Sequence, residues 1–147
     1  MHKNEHHDTT VRVRYAETDQ MGVVYHANYF IWFEVGRVEL MRALGVEYKK
    51  MESEDDCHIV VADAHCRYER SARYDEVVRI RTRIADSRNR IVKFAYEIFR
   101  DSDGELLATG DTTHIICGSN GRPKLLPHKY RILLAGKAAL HSDRGRP

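Results

Sequence analysis

Apolar residues along the chain follow two rhythms. Between residues 27 and 44 they cover a wide helical arc, and Gly45 stands where a helix C-cap belongs, which predicts one long, largely buried helix. From residue 57 onward the period changes to two and predicts strands at about 57–69, 76–86, 90–100 and 105–117. Ahead of the helix, Val11, Val13 and Tyr15 alternate with basic neighbours over 10–15 and predict a first strand with one buried face. One helix with five strands is an α+β pattern.

The alternation also indicates how the strands pair. Val78, Ile80 and Ile84 alternate with Arg79, Arg81 and Arg83, and Val92, Phe94, Tyr96 and Ile98 alternate with Lys93 and Glu97, so each strand has a core face and a wet face. Matching these faces across the hairpin calls for an odd loop, which a three-residue turn over 87–89 supplies, with Asn89 taking the left-handed conformation. Asp103-Gly104 marks the next tight reversal, making these three strands sequential antiparallel neighbours. A loop at 118–123 and a short basic helix within 125–140 complete the domain.

Within the long helix, Glu34 with Arg37 and Glu39 with Arg42 are spaced to pair along a wetter edge, each pair contributing about 0.2–0.5 kcal/mol. Gly36 costs up to ~1 kcal/mol in a helix interior relative to Ala, so its presence predicts close packing of the helix backbone on a flat partner, a sheet.

Composition changes this picture little. The 147 residues fit one domain over 10–140 between flexible ends at 1–9 and 141–147. Lys and Arg number 24 against 22 Asp and Glu, a balance that argues against a nucleic-acid partner. Cys57, Cys66 and Cys117 show neither a disulfide framework nor metal-ligand spacing, and the histidines within 1–8 have no fixed ligand geometry around them, so no metal is expected. Without a membrane span or secretory signal, the expected compartment is the cytoplasm.

The stretch that carries chemistry is 15–29. It sets Asp19 in a glycine-containing loop that runs directly into the helix. The first turn of a helix has unpaired N–H donors and partial positive charge, which together stabilise an oxyanion. Read alone, Asp19 is equally well a turn or capping residue. Tyr25, Asn28 and Tyr29 are equally well anchors of the helix start, and His26 a surface residue. Arg70 and Arg73, in a loop between two strands, suit phosphate recognition. Arg79, Arg81 and Arg83 read as a solvated sheet face or an oligomer contact.

The motif Tyr-x-x-Thr-Asp-x-x-Gly-Val-Val-Tyr-His-x-x-Tyr at 15–29, followed by Glu34, Arg37 and Glu39, resembles the hotdog-fold acyl-CoA thioesterases. The nearest types are the hydroxybenzoyl-CoA and Tol-Pal-associated enzymes. The resemblance covers about 10–127 and is specific over 15–42. It implies a long central helix wrapped by a curved five-stranded antiparallel sheet, with subunits pairing edge to edge into a homodimer or homotetramer whose active sites lie at the interface.

It further implies hydrolysis of an acyl-CoA, or acyl-carrier-protein, thioester without a cofactor. Asp19 would be the general base or nucleophile. The His26 backbone N–H, in the first helical turn, would be the donor to the thioester carbonyl, with Tyr25 beside it. Val24, Asn28, Tyr29, Arg70 and Arg73 are the substrate-binding candidates, and Trp32, Phe33, Ile59 and Val61 would set pocket depth. Two other functions compete: a hotdog hydratase or dehydratase, and a non-catalytic acyl-CoA sensor. Asp19 argues against the sensor, because binding alone needs no such carboxylate.

Overall fold

The structure is a computed structural model and describes residues 5–134. Strand β1 is His7–Arg12, helix α1 Asn28–Ala43, helix α2 Tyr48–Asp55, and strands β2 to β5 are His58–Tyr68, Val77–Arg88, Ile91–Arg100 and Leu106–Cys117. The strands form one antiparallel sheet in the order β1-β3-β4-β5-β2, with α1 lying chiefly against β3 and β1. Val78, Ile80, Val92, Phe94, Tyr96, Ile98 and Ile116 face α1 from the sheet and are buried with Tyr29, Trp32, Phe33, Leu40 and Met41. This is the expected α+β architecture.

Several boundaries differ from the sequence reading, each for a local reason. The first strand begins at His7 and ends at Arg12, so residues 7–9 belong to the sheet and not to a tail. Their polarity hid them: this is an edge strand, held by backbone pairing and by Asp8, which accepts two hydrogen bonds of 3.0 Å from the Arg81 guanidinium. Tyr15 does not share the face of Val13. It opens a single 3₁₀ turn, Tyr15–Glu17, and is exposed.

Helix α2 leaves no mark in the hydrophobic pattern, because one buried residue, Met51, among seven more polar neighbours makes no apolar stripe. Residues 128–134 are helical, and the remainder of the expected 125–140 helix, like the tail at 141–147, lies outside the described residues.

The β3–β4 hairpin solves its parity differently from the expected three-residue turn. Arg88 pairs with Ile91 across two residues, Asn89 and Arg90, and the odd residue is Ala85, bulged between Ile84 and Asp86. The left-handed Asn89 is found at φ 54°. A bulge satisfies the same face-matching rule as an odd loop, so alternation alone could not locate the extra residue.

The charged edge of α1 divides. Arg42 pairs with Glu39. Arg37 instead turns inward, where its Nη1 lies 3.5 Å from the Tyr96 hydroxyl.

Gly36 does what its cost required. A Cβ there would sit 2.7 Å from Ile80 Cγ2 and against Thr82 Oγ1, so the helix backbone rests directly on β3. Gly36→Ala should therefore destabilise the fold by about 1–2 kcal/mol. Overpacking costs about 1–3 kcal/mol and the gain in helix propensity returns up to ~1. The urea midpoint should fall with an unchanged m-value; an unchanged or higher midpoint would show that β3 yields.

Behind α1 runs a buried polar chain. Arg37 reaches Tyr96, whose hydroxyl meets Thr112 Oγ1, which lies 2.8 Å from His114 Nε2. His114 is fully buried, packed edge-on against Phe94. Burial, and then the Arg37 charge, push its pKa from 6.5 down to about 4. The folded state thus favours the neutral ring, a contribution complete above about pH 6.5 and lost as pH falls toward 4. Its full size is about 3 kcal/mol. Unfolding free energy measured from pH 7 to pH 4 should decline by that amount, and His114→Gln should flatten the decline.

Candidate functional site

Asp19 is held in a tight reversal. Thr18 bridges Val24, the Asp19 N–H donates to Val23 O at 2.8 Å, and the Gly22 N–H donates to Asp19 O at 2.9 Å. Gly22 has φ +80°, a conformation that favours glycine and explains it in the motif. The Asp19 carboxylate Oδ1 accepts the Met21 N–H at 2.8 Å, fixing the side chain and leaving Oδ2 without a protein partner among the described residues. The return arm docks on the loop before β3, through a bridge from Val23 to Arg73 and a bond from the Val24 N–H to Ala72 O at 2.9 Å.

The chain then enters α1 by i to i+3 hydrogen bonds, from the Asn28 N–H to Tyr25 O, Tyr29 N–H to His26 O and Phe30 N–H to Ala27 O. His26 thus precedes the helix, which begins at Asn28, and does not sit within its first turn as the resemblance implied. Its N–H, like that of Ala27, donates to no acceptor among the described residues. These are the orphan donors of a helix start, with the positive end of the helix dipole behind them.

Asp19, Val23, Val24, His26, Tyr29, Tyr68, Glu69, Arg70 and Ser71 surround an open cleft of about 290 Å³. Tyr68, from the end of β2, donates its hydroxyl hydrogen to His26 O at 2.9 Å and packs edge-on against both His26 and Tyr29. Burial, first, raises the Tyr68 and Tyr29 phenol pKa values, so both walls stay neutral and one of them is a standing hydrogen-bond donor. Tyr29 is buried, with its hydroxyl accepting the Ala72 N–H at 3.3 Å. Asp19 is half-buried, so part of its surface is open to solvent.

Of the sequence candidates, Asp19, Val24, His26, Tyr29 and Arg70 come together around this cleft. Tyr25 is half exposed, is not among the cleft walls, and packs its ring on His26. Asn28 turns to donate to Glu17 O at 2.9 Å and acts as a brace. Arg70 is paired with Glu105 at 3.3 Å, whereas the Arg73 guanidinium lies beside Gly22 with no ion pair among the described residues. Trp32 and Phe33 belong to the core, Ile59 is half-buried and Val61 is exposed on β2; none of the four lines the cleft.

Two contributors escaped sequence reasoning. Tyr68 ends a strand whose alternation is broken by a bulge at Ala62, so its direction was not readable. Glu17 is a buried carboxylate beneath the helix start, with nothing in its neighbours' polarity to announce burial.

A larger depression of about 870 Å³ lies on the outer sheet face among Arg81, Arg83, Lys93 and Asp111. Asp19 and the α1 start are not part of it. Among the described residues no cluster of His, Cys, Asp and Glu is arranged to hold a metal, and no helix is long and apolar enough to cross a membrane.

Comparison with known proteins bears on the family. Residues 13–136 match the thioesterase-like superfamily. A putative acyl-CoA thioesterase YneP of Bacillus subtilis is 41% identical over 105 residues, covering 71% of this chain and 75% of that protein. Acyl-CoA thioesterase YbgC of Haemophilus influenzae is 28% identical, covering 89% of this chain and 91% of that one. The crystal structure of a DHNA-CoA thioesterase from Staphylococcus aureus superposes with a TM-score of 0.88 at 32% identity, covering 97% of this chain and 96% of that one. With a hotdog sheet and helix, and a match spanning most of its length, the chain belongs to the thioesterase-like superfamily.

Proposed function

We propose that the protein hydrolyses acyl-CoA thioesters at the cleft between Asp19 and the start of α1. The observation that supports this most is the pairing of a fixed carboxylate with the unengaged N–H of His26 across one small cleft. As a thioester carbonyl is attacked, charge gathers on its oxygen, and preorganised N–H donors at a helix start lower that barrier. Losing one such donor typically costs about 10²–10³ in rate. The free Asp19 Oδ2 either takes a proton from the attacking water or adds to the carbonyl to give a mixed anhydride that water then opens. In both routes the C–S bond breaks, the CoA thiolate departs and takes up a proton, and the acid is released. Neither step requires a cofactor.

Binding of CoA needs cations: Arg70 lines the cleft but is paired with Glu105, whereas Arg73, beside Gly22, has no ion pair among the described residues and is the freer candidate. A second copy of the chain pairs along β2 and closes the cleft. Supporting this is the position of β2 as an 11-residue sheet edge with Val60 and Val61 exposed, on the strand that also carries Tyr68.

Free thiol followed with a chromogenic reagent, over a panel of short, long and aromatic acyl-CoAs, tests the reading. Release from at least one class is the expected result. Binding of acyl-CoA with no release from any would replace it with the sensor function.

A further inference from the structure

We infer that Glu17 is a positioning residue for this site, the brace that fixes Asp19 relative to the N–H groups at the start of α1. The inference rests on the reading of that cleft as a thioester hydrolase. Glu17 is only 5% exposed and gathers hydrogen bonds from the residues ahead of the Asp19 loop, from its return arm and from α1. Its carboxylate Oε1 accepts the Arg14 N–H at 2.8 Å, and Oε2 accepts the Trp32 indole N–H at 3.3 Å with the Arg14 guanidinium 3.6 Å away. Its backbone carbonyl accepts the Tyr25 N–H at 2.8 Å and the Asn28 side-chain amide at 2.9 Å. The residue two before Asp19 is therefore tied to the residue just before His26, to the first residue of α1, and to Trp32 one turn further on.

The chemistry selects a carboxylate here. Both oxygens are approached by donors, a backbone N–H on one and an indole N–H with a guanidinium on the other, and only an ionised carboxylate accepts at both atoms. A glutamine of the same shape would keep the bond to the Arg14 N–H and turn its NH₂ group toward the Trp32 N–H, donor against donor. The side-chain link from the loop to Trp32 would then be lost and only the backbone bonds of residue 17 would remain, although Glu17 is not among the cleft walls and touches no reacting atom.

Three variants test this: Glu17→Gln, Trp32→Phe and the double variant, compared by steady-state thiol release and by amide hydrogen exchange. Displacing reacting groups by about 1 Å can cost on the order of 10²-fold, so Glu17→Gln should lower kcat by about 10–100-fold. KM should stay within about threefold if what is lost acts in the transition state. Exchange should quicken at the amides of 17–30 while the β3–β4 hairpin stays protected. Trp32→Phe removes the same link from the helix side, so it should lower kcat as Glu17→Gln does, and the double variant should be little worse than either single variant, a non-additivity that mere loss of stability would not produce. Unchanged kcat and unchanged exchange in Glu17→Gln would overturn the proposal, as would a kcat loss accounted for by the unfolded fraction. If the parent releases no thiol from any acyl-CoA, the hydrolase reading fails, and exchange at 17–30 then decides whether Glu17 is the brace.

Discussion

Asp19→Asn should lower thiol release by about 10²–10⁴, the range typical of a lost general base. The substitution isolates charge and basicity from architecture. An asparagine Oδ1 can still accept the Met21 N–H, and the reversal is otherwise held by backbone bonds and by Gly22, so the loop should keep its shape. The melting temperature should therefore stay close to the parent's while kcat falls, and acyl-CoA binding, measured by calorimetry on the inert variant, should persist. A single-turnover reaction in isotopically labelled water bears on the mechanism: label entering the Asp19 carboxylate marks the anhydride route, with water opening the anhydride at the Asp19 carbon. Parental activity in Asp19→Asn would remove this carboxylate from the chemistry altogether.

Phe33→Ala should be the most damaging core substitution in α1, at about 3–5 kcal/mol. The Phe33 ring stacks on Tyr96 with centroids 4.2 Å apart and planes 9° from parallel, and meets Phe30 edge-on. Its far edge occupies the space a side chain would take at position 110: a Cβ on Gly110 would lie 2.5 Å from Phe33 Cζ and against the His65 carbonyl oxygen. Truncation leaves a void whose floor is bare β5 backbone, and a glycine has no side chain to relax into it. The melting temperature should drop by on the order of 10 °C, and the loss should appear in the denaturation midpoint with little change in m-value. A loss below ~1 kcal/mol would mean that Tyr96 or Phe30 swings in to fill the gap.

Much of this was legible in the sequence where a residue type had one physical explanation. Gly36 in a buried helix implied a flat neighbour, and Thr82 and Ile80 on β3 are that neighbour. Gly45 as a C-cap and Asn89 in the left-handed region followed from backbone sterics and are found at φ 90° and 54°. Asp19 stood out because a carboxylate, a glycine and a helix start fell within a few residues.

What escaped was decided by distant partners. Arg37 was spaced to pair with Glu34 on the helix, yet Tyr96, from β4, draws it inward. Residues 7–9 read as a polar tail until Arg81 on the neighbouring strand supplied a partner for Asp8. The missing residue in the β3–β4 register could be a turn position or a bulge, and only the pairing at Ala85 chooses. Glu17 carries no local mark of burial, since its donors come from Arg14, Tyr25, Asn28 and Trp32 together.

The sheet order has a consequence for how the chain comes off the ribosome. β2 is made early, but its partner in the sheet is β5, and His58 must wait for Cys117. While β3 and β4 are being translated they can close their own hairpin, whereas β2 has neither flank covered and only α1 and α2 to lean on. Loop closure over such a separation is entropically costly and is repaid only when the last strand emerges. Completion of the sheet is thus gated by the arrival of β5. Until then this exposed strand is the nascent chain's main liability to mispairing, and to capture by chaperones.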